Sequence, residues 1–306
     1  MGLRYRDRGT ALHRQNPLCM LAWAASLLVL ALMLDSPLFL LLLVLATLPL
    51  VAAGRVWREW ASFMRFAPYM CVAIIAINAL VSYHGTHVLL QAPFSVPVMG
   101  TPTITLEALA YGAAMCLRLV AIVSAFAILT FTVHPDDMML SAMKVRLPYK
   151  SVLVTSLSTR FIPTLMDDAR RITDVQRSRG LELDRGRLPR RVRNGMSVII
   201  PLLSNSLDRT VQVAEAMEAR AFGSGTGRTF YRDIGLSGVD ALTLVAALSP
   251  LALGIFLRAA GCGDYQYYPT LGEVGPMVLE WPLAVAMVAL LSAIVPLAFL
   301  KREGRP

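Results

Sequence analysis

Six apolar runs, each close to bilayer-crossing length, constrain this chain more than any other feature: Leu18 to Leu34, Leu38 to Ala53, Phe66 to Tyr83, Ala108 to Val133, Ala241 to Leu257 and Trp281 to Leu300. Together they hold one charged side chain, Arg118. Runs of this length without charge are membrane spans. The 56% apolar composition and mean hydropathy of +0.58 follow from them, against about 45–50% apolar residues in soluble domains. The chain reads as all-α, a polytopic membrane protein with about six transmembrane helices. The first run lacks a small-residue cleavage site and is followed at once by the second, so it is expected to be a retained helix.

The net charge of +9 is unevenly placed. The N-terminal tail carries Arg4, Arg6, Arg8 and Arg14, the 54–65 loop Arg55, Arg58 and Arg65, and the C-terminal tail Lys301, Arg302 and Arg305. With the long polar stretch 134–236, these segments hold 27 of the 29 Lys and Arg residues. Opposite lie Asp35-Ser36-Pro37, a loop from His84 to Thr105 with no charged side chain, and 258–280 with Arg258. The positive-inside rule then puts both termini and 134–236 in the cytoplasm. Three regions are expected: a four-span bundle over 1–133, a cytoplasmic region over 134–236, and two more spans over 237–306.

The cytoplasmic region reads as helical. His134-Pro135-Asp136-Asp137 offers a helix start, and Leu147-Pro148 closes the short helix that follows. A long pattern runs from Tyr149 to Arg179, with a proline kink expected at Pro163. Ile162, Leu165, Ala169, Ile172 and Val175 form its apolar face. Asp167 and Arg171 are spaced as an i,i+4 pair. Residues 181–195 read as a basic connection. A second helix is expected from about Ser197 to Ala221, with Pro201 inside it, Leu207, Val211, Ala214, Met217 and Ala221 on its apolar face, and Gly223 at its end.

Both helices finish on an arginine between small residues: Ser178-Arg179-Gly180 and Ala219-Arg220-Ala221. A basic residue in a last turn complements the helix dipole and the free carbonyls. Small neighbours also leave the guanidinium open to a partner's groove, where it can donate a fork of hydrogen bonds. Arg118 needs a partner at its depth, either a structural one or a substrate path. Ala108-xxx-Gly112 and Ala110-xxx-Ala114 allow close helix approach, within this chain or against a second membrane protein.

Other chemistry is weakly supported. His84 and His87 form an HxxH with no acid or cysteine close in sequence, and read as ordinary loop residues. Asp136-Asp137 and Asp167-Asp168 read as solvated faces. Cys19, Cys71, Cys116 and Cys262 are scattered, which indicates neither disulfide scaffold nor zinc site. No phosphate-binding loop, nucleophile elbow or HExxH occurs. The expectation is no catalytic residue, no metal, no cofactor and no nucleic-acid partner. A self-contained carrier or channel and a membrane-embedded enzyme are the competing classes.

The segments Arg118-Leu119, Leu129-Thr130-Phe131-Thr132-Val133-His134-Pro135-Asp136-Asp137, Leu147-Pro148, Arg160-Phe161-Ile162-Pro163, Gln176-Arg177-Ser178-Arg179-Gly180 and Glu215 through Gly223 together resemble the T component of energy-coupling factor transporters, the CbiQ-like family. The resemblance implies a scaffold subunit of a vitamin or transition-metal importer. It implies that two long, crossed coupling helices dock through Arg179 and Arg220, with Ser178, Gly180, Ala219 and Ala221 as small neighbours, into two ABC ATPase subunits. A substrate-binding S component in the lipid bilayer is the other implied partner. Ser178 and Ala221 depart from the family's commonest Ala-Arg-Gly pattern.

Overall fold

A computed structural model describes residues 8–81, 87–91, 103–134, 137–138, 141, 149–181, 188–224, 237–261, 265–269 and 277–303. His84, Pro135-Asp136, Leu147-Pro148, Arg185, Arg187 and Cys262 lie outside them. Two compact units form, Met1–Met138 with Ile234–Pro306, and Met139–Asp233.

The first unit is helical: α1 (Pro17–Met33), α2 (Pro37–Gly54), α3 (Trp57–Met64), α4 (Ala67–Val81), α5 (Leu106–Thr132), α8 (Gly238–Ala259), α9 (Met277–Ser292) and α10 (Ile294–Glu303). Among the described residues five stretches are long and apolar enough to cross a membrane, and α1 is a shorter apolar helix beside them. This is an all-α polytopic membrane protein. Asn16 caps α1, accepting from the Leu18 amide at 3.1 Å, with Pro17 in the first turn where its missing donor costs nothing.

Prolines also set two breaks. Pro68 cannot donate to the Met64 carbonyl, and α3 ends at Met64 before α4 resumes at Ala67. Pro296 likewise withholds a donor from Ser292, and the last apolar run divides at Ala293 into α9 and α10. The buried Trp23 indole donates to the Leu291 carbonyl beside that break at 3.2 Å.

α5 is the central helix, touching α1, α2, α3 and α4, while α1 also packs on α8 and α9 on both α2 and α8. Trp23, Leu27, Leu30, Phe39, Leu43, Ala121 and Ile128 are fully buried in this core. Three small residues of α5 are spent inside the chain: a Cβ on Gly112 would sit 3.2 Å from the Ile75 Cα of α4, and Ala108 and Ala114 are buried. Gly254 gives α8 the same closeness to Leu30 of α1.

The uncharged loop between α4 and α5 carries more structure than its sequence suggests. β1 (Val88–Gln91) pairs antiparallel with β2 (Thr103–Thr105), with a register irregularity between Val88 and Leu90. The ribbon is fastened to α5 by Glu107. This fully buried carboxylate accepts from the His87 amide at 3.1 Å and lies 2.9 Å from His87 Nδ1.

The second unit holds α6 (Tyr149–Ser178) and α7 (Leu188–Ala219). The helix expected from about Ser197 begins nine residues earlier, inside the segment whose composition predicts a basic connection. Pro189 is compatible with that start because it lies in the first turn, where no intrahelical donor is required. Pro163 and Pro201 lie inside the helices.

Candidate functional site: the ends of two helices

Arg179 and Arg220 occupy the same position in the same local structure. Past Arg179, the Gly180 amide donates to Arg177 O at 2.9 Å and the Leu181 amide to Gln176 O at 3.0 Å. Past Arg220, the Ala221 amide donates to Glu218 O at 2.8 Å and the Phe222 amide to Met217 O at 2.9 Å. Each is a Schellman end, in which the residue after the cap turns left-handed so that two late carbonyls are satisfied. Gly180 has φ +81° and Ala221 φ +55°. The second helix is therefore closed by an alanine in a conformation that favours glycine, and not by Gly223 as its sequence suggests.

Ser178, Arg179, Gly180, Ala219, Arg220 and Ala221 are all exposed. Each arginine is an exposed residue at a cap where two of the late carbonyls already have backbone partners.

α6 and α7 run antiparallel. Gln176 Nε2 donates to Ser197 O at 3.2 Å, and further from the connection Arg209 Nη2 bonds Asp168 Oδ2 at 3.0 Å. Asp168 is thus part of an interhelical ion pair, and the solvated-face reading fails for it. Its neighbour Asp167 pairs with Arg170 at i,i+3, 3.5 Å away, in place of Arg171. Arg179 lies one turn beyond Gln176. Arg220 lies 23 residues along from Ser197, about 35 Å of helix at ~1.5 Å per residue. The two guanidinium-bearing ends therefore stand at opposite ends of one helix pair.

The apolar faces divide in two. Leu165, Ala169 and Ile172 of α6 and Val198 and Leu202 of α7 are half-buried. Ile162 and Val175 are 56% and 47% exposed, and Leu207 and Val211 of the expected α7 face are 59% and 55% exposed. With Met196, Ile200 and Leu203, the latter form an exposed apolar stripe at helical spacing along α7.

Arg118 belongs to a separate cluster in the first unit. Its Nη2 donates to Asp35 Oδ1 at 2.7 Å and to Leu34 O at 3.0 Å. Arg258 Nη1 reaches Asp35 Oδ2 at 3.3 Å, and Tyr267 Oη donates to the Asp35 carbonyl at 2.7 Å. Burial, then Tyr265 and Asp35, push the Tyr267 phenol well above its ordinary range, so it stays a donor. Tyr111 and Tyr265 each meet Tyr267 edge-on. The cluster ties the α1–α2 turn to α5, α8 and the 265–269 segment. Among the described residues, no group of three or more His, Cys, Asp or Glu side chains is placed to hold a metal ion.

Residues 8–231 match the family model described as "CbiQ: Cobalt transport protein". Several curated proteins, each named "Energy-coupling factor transporter transmembrane protein EcfT", are similar. The chain is 29% identical to that of Bacillus selenitireducens over 254 residues, 80% of this chain and 92% of the relative. It is 29% identical to that of Streptococcus equi subsp. equi over 265 residues, 83% and 94% of the two chains. Against that of Streptococcus thermophilus identity is 38% over 149 residues, 46% of this chain and 55% of the relative.

Proposed function

Since the chain belongs to the CbiQ cobalt transport protein family, the transmembrane T components of energy-coupling factor transporters, we propose that it couples two ABC ATPase subunits to a substrate-binding S component through Arg179 and Arg220. The substrate is a vitamin or a transition-metal ion. Residues 134–236 and both termini lie in the cytoplasm, in keeping with the 27 basic residues on that side. ATP is bound by the partners, since this chain shows no phosphate-binding motif.

The observation that carries the reading is the pair of matching Schellman ends, each presenting an exposed arginine at one end of an antiparallel helix pair. A guanidinium held at a rigid cap keeps its fork of donors at a defined place and direction, which suits insertion into an acidic or carbonyl-lined groove. Two such prongs on one rigid pair fit two copies of one partner. The exposed stripe Met196, Ile200, Leu203, Leu207 and Val211 is the surface that an apolar S component would cover. When the ATPase subunits change their separation, the prongs move with them and the helix pair carries the displacement to the S component.

Affinity purification of the full-length chain from its native membranes tests the assignment. The wild type is expected to bring down two ATPase polypeptides with Walker motifs and ATP turnover. The Arg179→Glu/Arg220→Glu variant is expected to bring down neither. Equal recovery by both proteins overturns the docking role.

A further inference from the structure

We propose that Gln176 and the Asp168–Arg209 pair are positioning residues that lock the angle at which α6 and α7 cross, and so set the separation of Arg179 and Arg220; the functional meaning of that separation rests on the coupling reading above.

The argument begins at Pro201. A proline inside a helix has no amide proton, so the carbonyl four residues earlier loses its regular donor. In α7 that carbonyl belongs to Ser197, and it is the one that Gln176 Nε2 reaches, 3.2 Å away. Both residues are half-buried between the helices, where an unsatisfied carbonyl is costly. Pro201 thus creates one acceptor at one height of α7, and α6 supplies one donor to match. If α7 slid by a turn, Gln176 would face a carbonyl already used within the helix. The bond is specific to a register in a way that apolar side chains at the same seam are not.

One contact leaves two rods free to pivot. The second is Asp168 Oδ2 to Arg209 Nη2 at 3.0 Å, with Asp168 only 17% exposed. From Gln176 back to Asp168 is 8 residues of α6, but from Ser197 on to Arg209 is 12 residues of α7. Those are about 12 Å and 18 Å of helix axis. The long Arg209 side chain can span the difference, and two ties at two heights along the pair oppose pivoting as one cannot. The seam between them is of modest size, with Leu165, Ala169, Ile172, Val198 and Leu202 half-buried. Such packing favours a crossing angle only to within about 15–20°, so the polar ties narrow what the seam leaves loose. Every degree of rotation is magnified at Arg220, which lies 11 residues, about 16 Å, beyond Arg209.

The test measures an interhelical distance in the full-length chain in nanodiscs, without ATPase subunits. Spin labels on genetically encoded keto side chains replace the exposed Ser151 of α6 and Glu218 of α7, leaving the native cysteines in place. Pulsed dipolar spectroscopy is expected to give one narrow distribution for the otherwise wild-type chain. Gln176→Met keeps the side-chain volume and removes the donor; combined with Asp168→Asn it should broaden the distribution while helix content is unchanged. With Gln176 intact, the exchange Asp168→Arg/Arg209→Asp should restore a narrow distribution that Asp168→Arg alone does not give. An unchanged width in Gln176→Met/Asp168→Asn overturns the lock. Because no ATPase is present, this result is separate from the fate of the arginine docking: an unaltered distance distribution sinks the lock alone, and undiminished ATPase recovery by the double arginine reversal sinks the docking alone.

Discussion

Asp35 in the α1–α2 turn lies 2.7 Å from Arg118, twelve residues into α5, and its second carboxylate oxygen lies 3.3 Å from Arg258 of α8. One carboxylate therefore answers two guanidiniums from two different spans. Asp35→Asn would remove the carboxylate charge that both guanidiniums share. Removing one partner of a buried pair costs about 3–5 kcal/mol. Asp35 is 39% exposed, so a smaller loss, about 1–3 kcal/mol, is expected. Arg118→Met should cost less, because Arg258 still satisfies Asp35. The Asp35→Asn/Arg118→Met double variant should lose less than the two single losses added together. Thermal unfolding in detergent measures all three; a wild-type midpoint for Asp35→Asn would show that the cluster contributes nothing to stability.

The two helix ends make opposite predictions for the same exchange of residues. Gly180 has φ +81° and Ala221 φ +55°. A side chain in the left-handed region costs roughly 1–2 kcal/mol, while a glycine loses about 0.4–1 kcal/mol through the entropy of the unfolded chain. Gly180→Ala should therefore fray the end of α6. Ala221→Gly should tighten the end of α7, by about 0.5 kcal/mol net. Amide exchange at Leu181 and Phe222, whose protons bridge back to Gln176 and Met217, reads each end separately. Exchange should quicken at Leu181 in the first variant and slow at Phe222 in the second.

Which parts of this were legible in sequence follows from the range of the forces involved. Hydropathy and charge act residue by residue, so the spans and the two polar helices were readable. Gly180 announced the end of α6 because glycine is the usual left-handed residue, whereas Ala221 carries no such signal and Gly223, two residues on, drew attention instead. The early start of α7 was hidden by Pro189, which marks a break in a helix interior but not in a first turn. Tertiary pairs were out of reach. Asp35 finds Arg118 across 83 residues and Asp168 finds Arg209 across 41, and no local pattern connects them. The Gln176 bond to Ser197 depends on a carbonyl released by Pro201, a consequence of the proline that a kink prediction alone does not contain.

Gly112 makes a packing prediction. Its missing Cβ would lie 3.2 Å from the Ile75 Cα and 3.3 Å from Ile75 Cγ1. The first of these atoms is backbone and cannot swing away. Gly112→Leu should push α4 from α5 at a cost of about 1–3 kcal/mol, as overpacking does in cores. Ile75→Ala, which trims only the side chain, should fail to rescue it. The thermal midpoint of the purified chain tests this, and a Gly112→Leu protein as stable as wild type would mean that the two helices do not approach this closely.

The arginine ends differ from a single binding site in how their losses should combine. If each guanidinium engages its own ATPase subunit, the second contact forms within an assembly that the first already holds together. Its effective concentration is then high, and losing it should weaken association by about 10²–10⁴-fold without abolishing it. Arg179→Glu and Arg220→Glu should each leave a weaker complex, with subunits that exchange on dilution, whereas the double reversal should leave none. Arg→Lys at either position keeps the charge but not the planar fork, so it should fall between wild type and the Glu variant. Raising ionic strength should widen the gap between the single variants and wild type, because an isolated exposed contact is screened more readily than a paired, partly buried one. The ratio of ATPase subunits to this chain in the purified complex, measured across a salt series, reads each of these outcomes. Should one single reversal abolish binding and the other leave it untouched, the device would have one working prong, and the likeness of the two Schellman ends would be structural alone.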